Sequence, residues 1–131
     1  MRFKYTILYV SNVKEAMEFY VQAFGFEQLF IHEGEDYGEL ITGETTLAFA
    51  ATELQKQLGR NPLAANADNP SFELAFESDD VKTDLKRALD AGARLIQKEQ
   101  VESWGQTTSY VSDPNGFLIE ICSPVQLPNP G

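Results

Sequence analysis

Apolar side chains recur along this chain with two different periods, and the places where the period changes mark its elements. Residues 4–10, KYTILYV, are rich in aromatic and β-branched side chains and hold no breaker, which predicts a strand. From Asn12 onward the spacing becomes helical, with Val13, Ala16, Met17, Tyr20 and Phe24 on one face. Asn12 and Glu15 resemble a capping box and Gly25 fits just past the last turn, so a helix is expected over 13–24. FEQLFIHE, YGELIT and TTLAFAA then predict three short strands, with turns at Gly34 to Asp36 and at Gly43 to Glu44. Residues 53–70 hold a short helical stretch around 54–58, followed by the Gly-, Pro- and Asn-rich GRNPLAANADNP, which reads as a linker. SFELAFE is another strand, and DDVKTDLKRALDAG a capped helix with Val81, Leu85, Ala88 and Leu89 on one face and Gly92 at its end. Further strands are predicted at 94–101, 106–112 and 117–123.

The order β-α-β-β-β thus occurs twice. Tyr5 and Val13 in the first copy correspond to Glu73 and Val81 in the second at a constant offset of 68 positions, and Gly25 and Gly92 close the two helices. One such unit buries a sheet face incompletely, so two copies packed side by side are the natural way to complete a core. The expected fold class is α+β: two repeated β-α-β-β-β modules, giving a curved, cup-shaped sheet of eight strands with the helices outside. As a single domain of 131 residues it divides into a module at about 1–52, the linker at 53–70, a second module at about 71–124 and a short tail at 125–131.

Composition narrows the possible functions. A hydrophobic share of 43% is ordinary for one globular domain. The first residues contain neither a secretory core nor a membrane span, so a cytoplasmic location and no membrane partner are expected. Ten basic residues against twenty acidic ones give a net charge of −10 with no basic cluster, so nucleic acid is not an expected partner. The single cysteine, Cys122, excludes an internal disulfide and a Cys-rich zinc motif, and reads as a buried strand residue.

Alternation along the strands assigns faces. Leu8, Val10, Leu74 and Phe76 belong with the helices, which leaves Tyr5, Ile7 and Tyr9 in one module and Glu73, Ala75 and Glu77 in the other facing the hollow of the sheet. In the last strand Phe117, Ile119 and Ile121 suit the packed side, and Leu118, Glu120 and Cys122 the hollow. Glu120 is the one carboxylate in an apolar run, a position that calls for a partner, for solvent or for chemistry. With Glu73 it offers a pair for binding a cationic or hydroxyl-bearing ligand or for general-base work; the alternative is that each meets a nearby cation or water. Trp104 and Gln106 are candidates for an aromatic wall and an amide hydrogen bonder, unless Trp104 is a core side chain. Tyr5 and Tyr9 are candidate hydroxyl donors, and Asp113, in SDPNG, is expected to stabilise the local turn. His32, the only histidine, reads as a surface or structural residue.

ILYVSNVKEAMEFYVQAFGF near the start, ESDDVKTDLKRALDAGARL in the middle and WGQTTSYVSDPNGFLIEI near the end together resemble the vicinal oxygen chelate superfamily, which includes glyoxalase I, extradiol dioxygenases, fosfomycin-resistance enzymes and bleomycin-resistance proteins. The likeness runs over nearly the whole chain. It implies paired modules forming a cup-shaped site, commonly in a homodimer, in which metal-using members hold a divalent ion with residues of the first and fourth strand of each module. Those places fall here on Tyr5, Ala48, Glu73 and Glu120. Glu120 fits the usual terminal glutamate and Glu73 a place often held by His or Gln, whereas Tyr5 and Ala48 depart from the pattern. An alanine supplies no ligand and a neutral tyrosine is a poor one. Cofactor identity is therefore open, with a divalent metal on Glu73 and Glu120 disfavoured by Tyr5 and Ala48.

Three functional readings follow. The first is a small-molecule binder like the bleomycin-resistance branch, acting on a small organic ligand without a complete glyoxalase-type metal site. The second is a metal-dependent glyoxalase-like lyase or dioxygenase using Glu73 and Glu120. The third is a dimeric interaction module with no ligand.

Overall fold

The computed structural model describes residues 1–125; of the expected tail, residues 126–131 lie outside the described residues. The chain forms two compact units that meet at Ala65 and Asn66, inside the expected linker. Each contains a four-stranded mixed sheet, so the eight expected strands are all present, four hydrogen-bonded in each unit.

In the first unit the elements are β1 (Tyr5–Val10), α1 (Val13–Phe24), β2 (Glu27–Ile31), β3 (Tyr37–Ile41), β4 (Thr46–Ala51) and a short α2 (Thr52–Gln57). Asn12 starts α1 by accepting the Glu15 N–H on its side-chain oxygen at 3.0 Å, and Gly25 ends it with φ of 76°, donating its N–H to the Val21 carbonyl. The strands β2, β3 and β4 form an antiparallel meander that brings β4 back parallel to β1, giving the order β1-β4-β3-β2. One face of this sheet is covered by α1. Leu8 and Val10 from β1, Leu40 from β3 and Phe49 from β4 are buried with Met17 and Tyr20 of the helix, and the Tyr20 ring meets Phe49 edge-on at 5.1 Å. Full burial of side chains this large supplies about 1.5–3 kcal/mol each. Gly38 is required at its place in β3, because a β-carbon there would collide with the Met17 sulfur and stand 3.0 Å from the Phe30 carbonyl oxygen.

The second unit repeats the plan with β5 (Glu73–Glu77), α3 (Val81–Asp90), β6 (Arg94–Val101), β7 (Thr107–Ser112) and β8 (Leu118–Cys122), in the order β5-β8-β7-β6. Asp80 caps α3, its carboxylate accepting both the N–H and the hydroxyl of Thr83, and these bonds hold its carboxyl below the usual range. Val81, Leu85 and Ala88 of α3 are buried, as are Val111, Ile119 and Ile121 of the sheet. Among the described residues no helix is long and apolar enough to cross a membrane.

Candidate functional site

With one face of each sheet covered by its helix, the chemistry of the chain gathers on the opposite, open faces. In the second unit the arrangement is set by the turn at Asp113. Its side-chain Oδ1 accepts the N–H groups of Asn115 and Phe117, both at 2.8 Å, and its own N–H bonds the Phe117 carbonyl. The expected local role of Asp113 is therefore the observed one, and it fixes the register of the β7–β8 hairpin. Ser112 stands opposite Leu118, Tyr110 opposite Glu120 and Thr108 opposite Cys122. The parallel strand β5 lies on the other side of β8 and places Glu73, Ala75 and Glu77 beside Leu118, Glu120 and Cys122.

This register gives Glu120 its partner. The Tyr110 hydroxyl donates to Glu120 Oε2 at 2.6 Å, the short distance of a hydrogen bond to a charged acceptor. Burial, then the Glu120 carboxylate, then Glu73, raise the pKa of the Tyr110 phenol, so it remains a donor. Glu120 is half-buried and takes part in no ion pair among the described residues. Glu73 is exposed at the start of β5, and it too interacts with the Tyr110 side chain. Cys122 is buried as expected, only 7% exposed, with its thiol directed at the Phe76 carbonyl. Its pKa is pushed up to about 11 by burial first, then by Glu120, with smaller contributions from Glu77 and Glu73.

Trp104 and Gln106 stand outside this group, at the β6–β7 turn. Trp104 is 63% exposed, which settles against a core side chain. Its indole N–H donates to Gln106 Oε1 at 2.8 Å, and Gln106 Nε2 donates to the Ser123 carbonyl at 2.9 Å. Gln106 thus spends its carbonyl and one N–H on positioning the tryptophan.

The first unit carries a related arrangement on different strands. Tyr5, Ile7 and Tyr9 occupy the open face of β1, and β4 contributes Thr46 beside Tyr5 and then the methyl groups of Ala48 and Ala50, both buried. Glu39 of β3 lies in register with Ala48, and the Tyr37 hydroxyl donates to Glu39 Oε2 at 2.8 Å. Burial, the Glu39 carboxylate and the Tyr5 phenol together raise the pKa of Tyr37. Phe30, His32 and Tyr37 form a ring cluster with centroids 5.2–6.0 Å apart, and His32 is exposed beside Asp36.

Tyr110, Tyr37 and Glu39 were not singled out from the sequence, although hairpin arithmetic contains them. Centring a hairpin on the turn at 113–117 pairs position 110 with 120, and centring one at 43–44 pairs 39 with 48. The places that metal-using members of the resembled superfamily employ hold a phenol, a methyl group and two carboxylates, one of them already bonded to Tyr110. Four-ligand divalent-ion chemistry does not fit this donor set. Among the described residues, no group of three or more His, Cys, Asp or Glu side chains is placed to hold a metal ion.

Comparison with known proteins agrees with this architecture. Residues 3–126 match the family model of the glyoxalase-like domain. A lactoylglutathione lyase of Neisseria meningitidis is 28% identical over 128 residues, covering 92% of this chain and 88% of the relative. The solved structure of a glyoxalase-related enzyme from Fulvimarina pelagi superposes with a TM-score of 0.80 at 20% identity, over 95% of this chain and 88% of that one. A glyoxalase/bleomycin resistance protein/dioxygenase family enzyme from Burkholderia phytofirmans gives 0.75 at 22% identity, over 94% of this chain and 98% of that one. At these identities the two structures speak to the fold.

Proposed function

We propose a function from one premise: the chain belongs to the glyoxalase-like domain family, within the vicinal oxygen chelate superfamily. On this reading it binds a small organic molecule against the open sheet face of its second unit, with Glu120 and Tyr110 as polar anchors and Glu73 at the margin. The observation that carries the reading is the 2.6 Å bond between Tyr110 and Glu120. A half-buried carboxylate with no ion-pair partner among the described residues is held in place by its own phenol, and its two oxygens offer about four acceptor sites, enough to accept from a ligand as well. The ligand that complements it carries a hydrogen-bond donor, an ammonium or a hydroxyl, on an organic body that rests on Leu118 and the small Ala75. Trp104, its ring fixed through Gln106, extends the same reading as a stacking surface for ligands that reach the β6–β7 turn. The donor set speaks for binding without a complete glyoxalase-type metal centre.

The 28% identity to a lactoylglutathione lyase favours a second reading, a metal-dependent lyase that uses Glu73 and Glu120. One experiment separates the two. Tag-free protein purified without chelator is challenged with nickel, zinc, manganese and iron(II), and its metal content per chain and its turnover of lactoylglutathione are measured. The binder reading expects no stoichiometric metal and no turnover, together with a melting temperature raised by cationic or hydroxyl-bearing aromatic compounds and unmoved by them in Glu120→Gln. Near-stoichiometric metal, lost in both Glu73→Ala and Glu120→Ala and accompanied by turnover, overturns it in favour of the lyase.

A further inference from the structure

The turn that fixes the β7–β8 hairpin contains a reactive sequence. Asn115 and Gly116 form the one Asn-Gly pair in the chain; Asn61 and Asn69 each precede a proline, which has no N–H, and Asn12 and Asn66 precede Val13 and Ala67. An asparagine followed by glycine is the pair best suited to closing a cyclic imide, because no side chain shields the following nitrogen. For ring closure that nitrogen must lose its proton and turn towards the Asn115 side-chain carbon. The structure opposes both steps. Gly116 donates its N–H to the Asp113 carbonyl at 3.1 Å, and the same carbonyl accepts the Ser112 hydroxyl at 2.9 Å. On either side of the Gly116 nitrogen, the N–H groups of Asn115 and Phe117 are held at 2.8 Å on Asp113 Oδ1. Ser112 and Asp113 are both buried, so these bonds are shielded from exchange with water. Asn115 itself is only half-buried and stays in reach of the water that the reaction consumes.

We propose that Asn115 is a site of spontaneous deamidation, and that the turn built on Asp113 sets its rate, so that the modification accumulates only as fast as this turn opens. In the open turn the Gly116 nitrogen gives its proton to a solvent base and attacks the Asn115 side-chain amide carbon. A carbon–nitrogen bond forms, the amide nitrogen leaves as ammonia and a cyclic imide remains. Water then opens the ring: breaking the new bond gives aspartate, and breaking the original peptide bond gives isoaspartate. Nothing is oxidised or reduced, and water is the only co-reactant. Either product adds a negative charge beside Asp113, and isoaspartate also adds a carbon to the main chain. Asp113 cannot then accept from residues 115 and 117 at their present spacing, so the register that sets Tyr110 opposite Glu120 loosens. No ligand enters the proposal, so it stands or falls independently of the binding reading.

The test follows the peptide that carries Asn115 and Gly116 by mass spectrometry, after the full chain is incubated at pH 8 in water enriched in heavy oxygen. Chromatography separates the aspartyl and isoaspartyl forms, and the heavy label marks hydrolysis that took place during the incubation. The native protein should react at least about a hundredfold more slowly than the chain unfolded in guanidinium chloride. Asp113→Ala should speed the native reaction by about tenfold or more, and Asp113→Asn, which keeps the shape and one acceptor, by a smaller factor. Gly38→Ala weakens the first unit and leaves the turn alone, so it should change the rate by less than about twofold. Circular dichroism at the incubation temperature shows that each variant is folded. The isolated isoaspartyl form should show amide NMR changes concentrated in β7 and β8, Tyr110 and Glu120 included. A native rate within about twofold of the unfolded one would overturn the proposal, since the turn then gives no protection. So would a rate that neither Asp113 variant raises, one that Gly38→Ala raises as much as they do, or an isoaspartyl form with an unaltered β7–β8 spectrum.

Discussion

Cys122 is the only thiol in the chain, and it lies on the same face as Glu120, so its ionisation reports on the candidate site without interference. Burial removes water from the thiolate, and Glu120, followed by Glu77 and Glu73, further favours the protonated form; the midpoint moves from 9.0 to about 11. At pH 8 a thiol of ordinary pKa near 9 is about 10% thiolate, whereas one near 11 is about 0.1%. Alkylation by iodoacetamide should therefore run about a hundredfold more slowly than in an unfolded peptide from ionisation alone, before any steric effect. The rate is measured by mass spectrometry from pH 7 to 11.5. The expected profile has a midpoint near 11 in the native protein, lower in Glu120→Gln and nearly unmoved in Glu73→Gln, the smallest of the named contributions. A midpoint near 9, or one that Glu120→Gln does not shift, would refute the placement of Glu120 against the thiol. Trace urea serves as the control, since a rate that climbs with it reports global opening. The same shift has a thermodynamic counterpart with a definite sign. Above pH 9 the unfolded chain loses the Cys122 proton while the native state keeps it, so stability falls as pH rises from about 9 to about 11, by at most about 3 kcal/mol. Tyr37 and Tyr110, whose pKa values are raised as well, act in the same direction at still higher pH.

Other substitutions test other joints of the structure. Tyr110→Phe removes the donor to Glu120 and should cost about 1–2 kcal/mol in urea unfolding; in a double-mutant cycle with Glu120→Gln the two should couple by at least about 0.5 kcal/mol, and strict additivity would contradict the bond. Asp113→Ala frees two backbone N–H groups in a buried turn and should lower stability by about 2–4 kcal/mol in the same assay, a loss that Asp113→Asn partly restores. Gly38→Ala forces a methyl group against Met17 and should destabilise by about 1–3 kcal/mol, a penalty that the shorter Met17→Ala relieves in the double variant when melting curves are compared. The homodimer implied by the superfamily resemblance is a further expectation, checked by sedimentation velocity, where a monomeric mass across the accessible concentration range would refute it.

The elements were largely legible because each is specified locally. Helix α1 begins and ends where Asn12 and Gly25 place it, since a cap oxygen and a left-handed glycine act on their own neighbours. Strand faces were equally readable: Leu8 and Val10 are buried where alternation puts them, and Ile119 and Ile121 likewise. Side-chain partnerships were harder, because they depend on register across two strands. Glu120 was singled out as an isolated carboxylate, yet its partner Tyr110 lies ten positions earlier and is identified only once Asp113 fixes the turn. Trp104 shows the opposite limit, for its identity fits a buried and an exposed position equally well, and its exposure follows from the Gly105 turn and the bond to Gln106.

The two units put a similar pair on different strands, and that difference bears on what the chain can do. In the second unit the phenol and the carboxylate face each other across β7 and β8, so both are positioned by the same turn and shift together if the register shifts. In the first unit both come from β3, two residues apart, and the strand beside them offers only alanine. A pair within one strand survives a slip of the neighbouring strand, because the period of two alone keeps Tyr37 and Glu39 on one face. Ala48 stands in the fourth strand of its module as Glu120 does in the other, and with no donor there the first unit's carboxylate sits one strand farther from β1 than the second unit's sits from β5. A carboxylate moved by one strand spacing, about 4.8 Å, is displaced by more than twice the length of a metal–oxygen bond of about 2 Å, so the two units do not present their carboxylates at equivalent places.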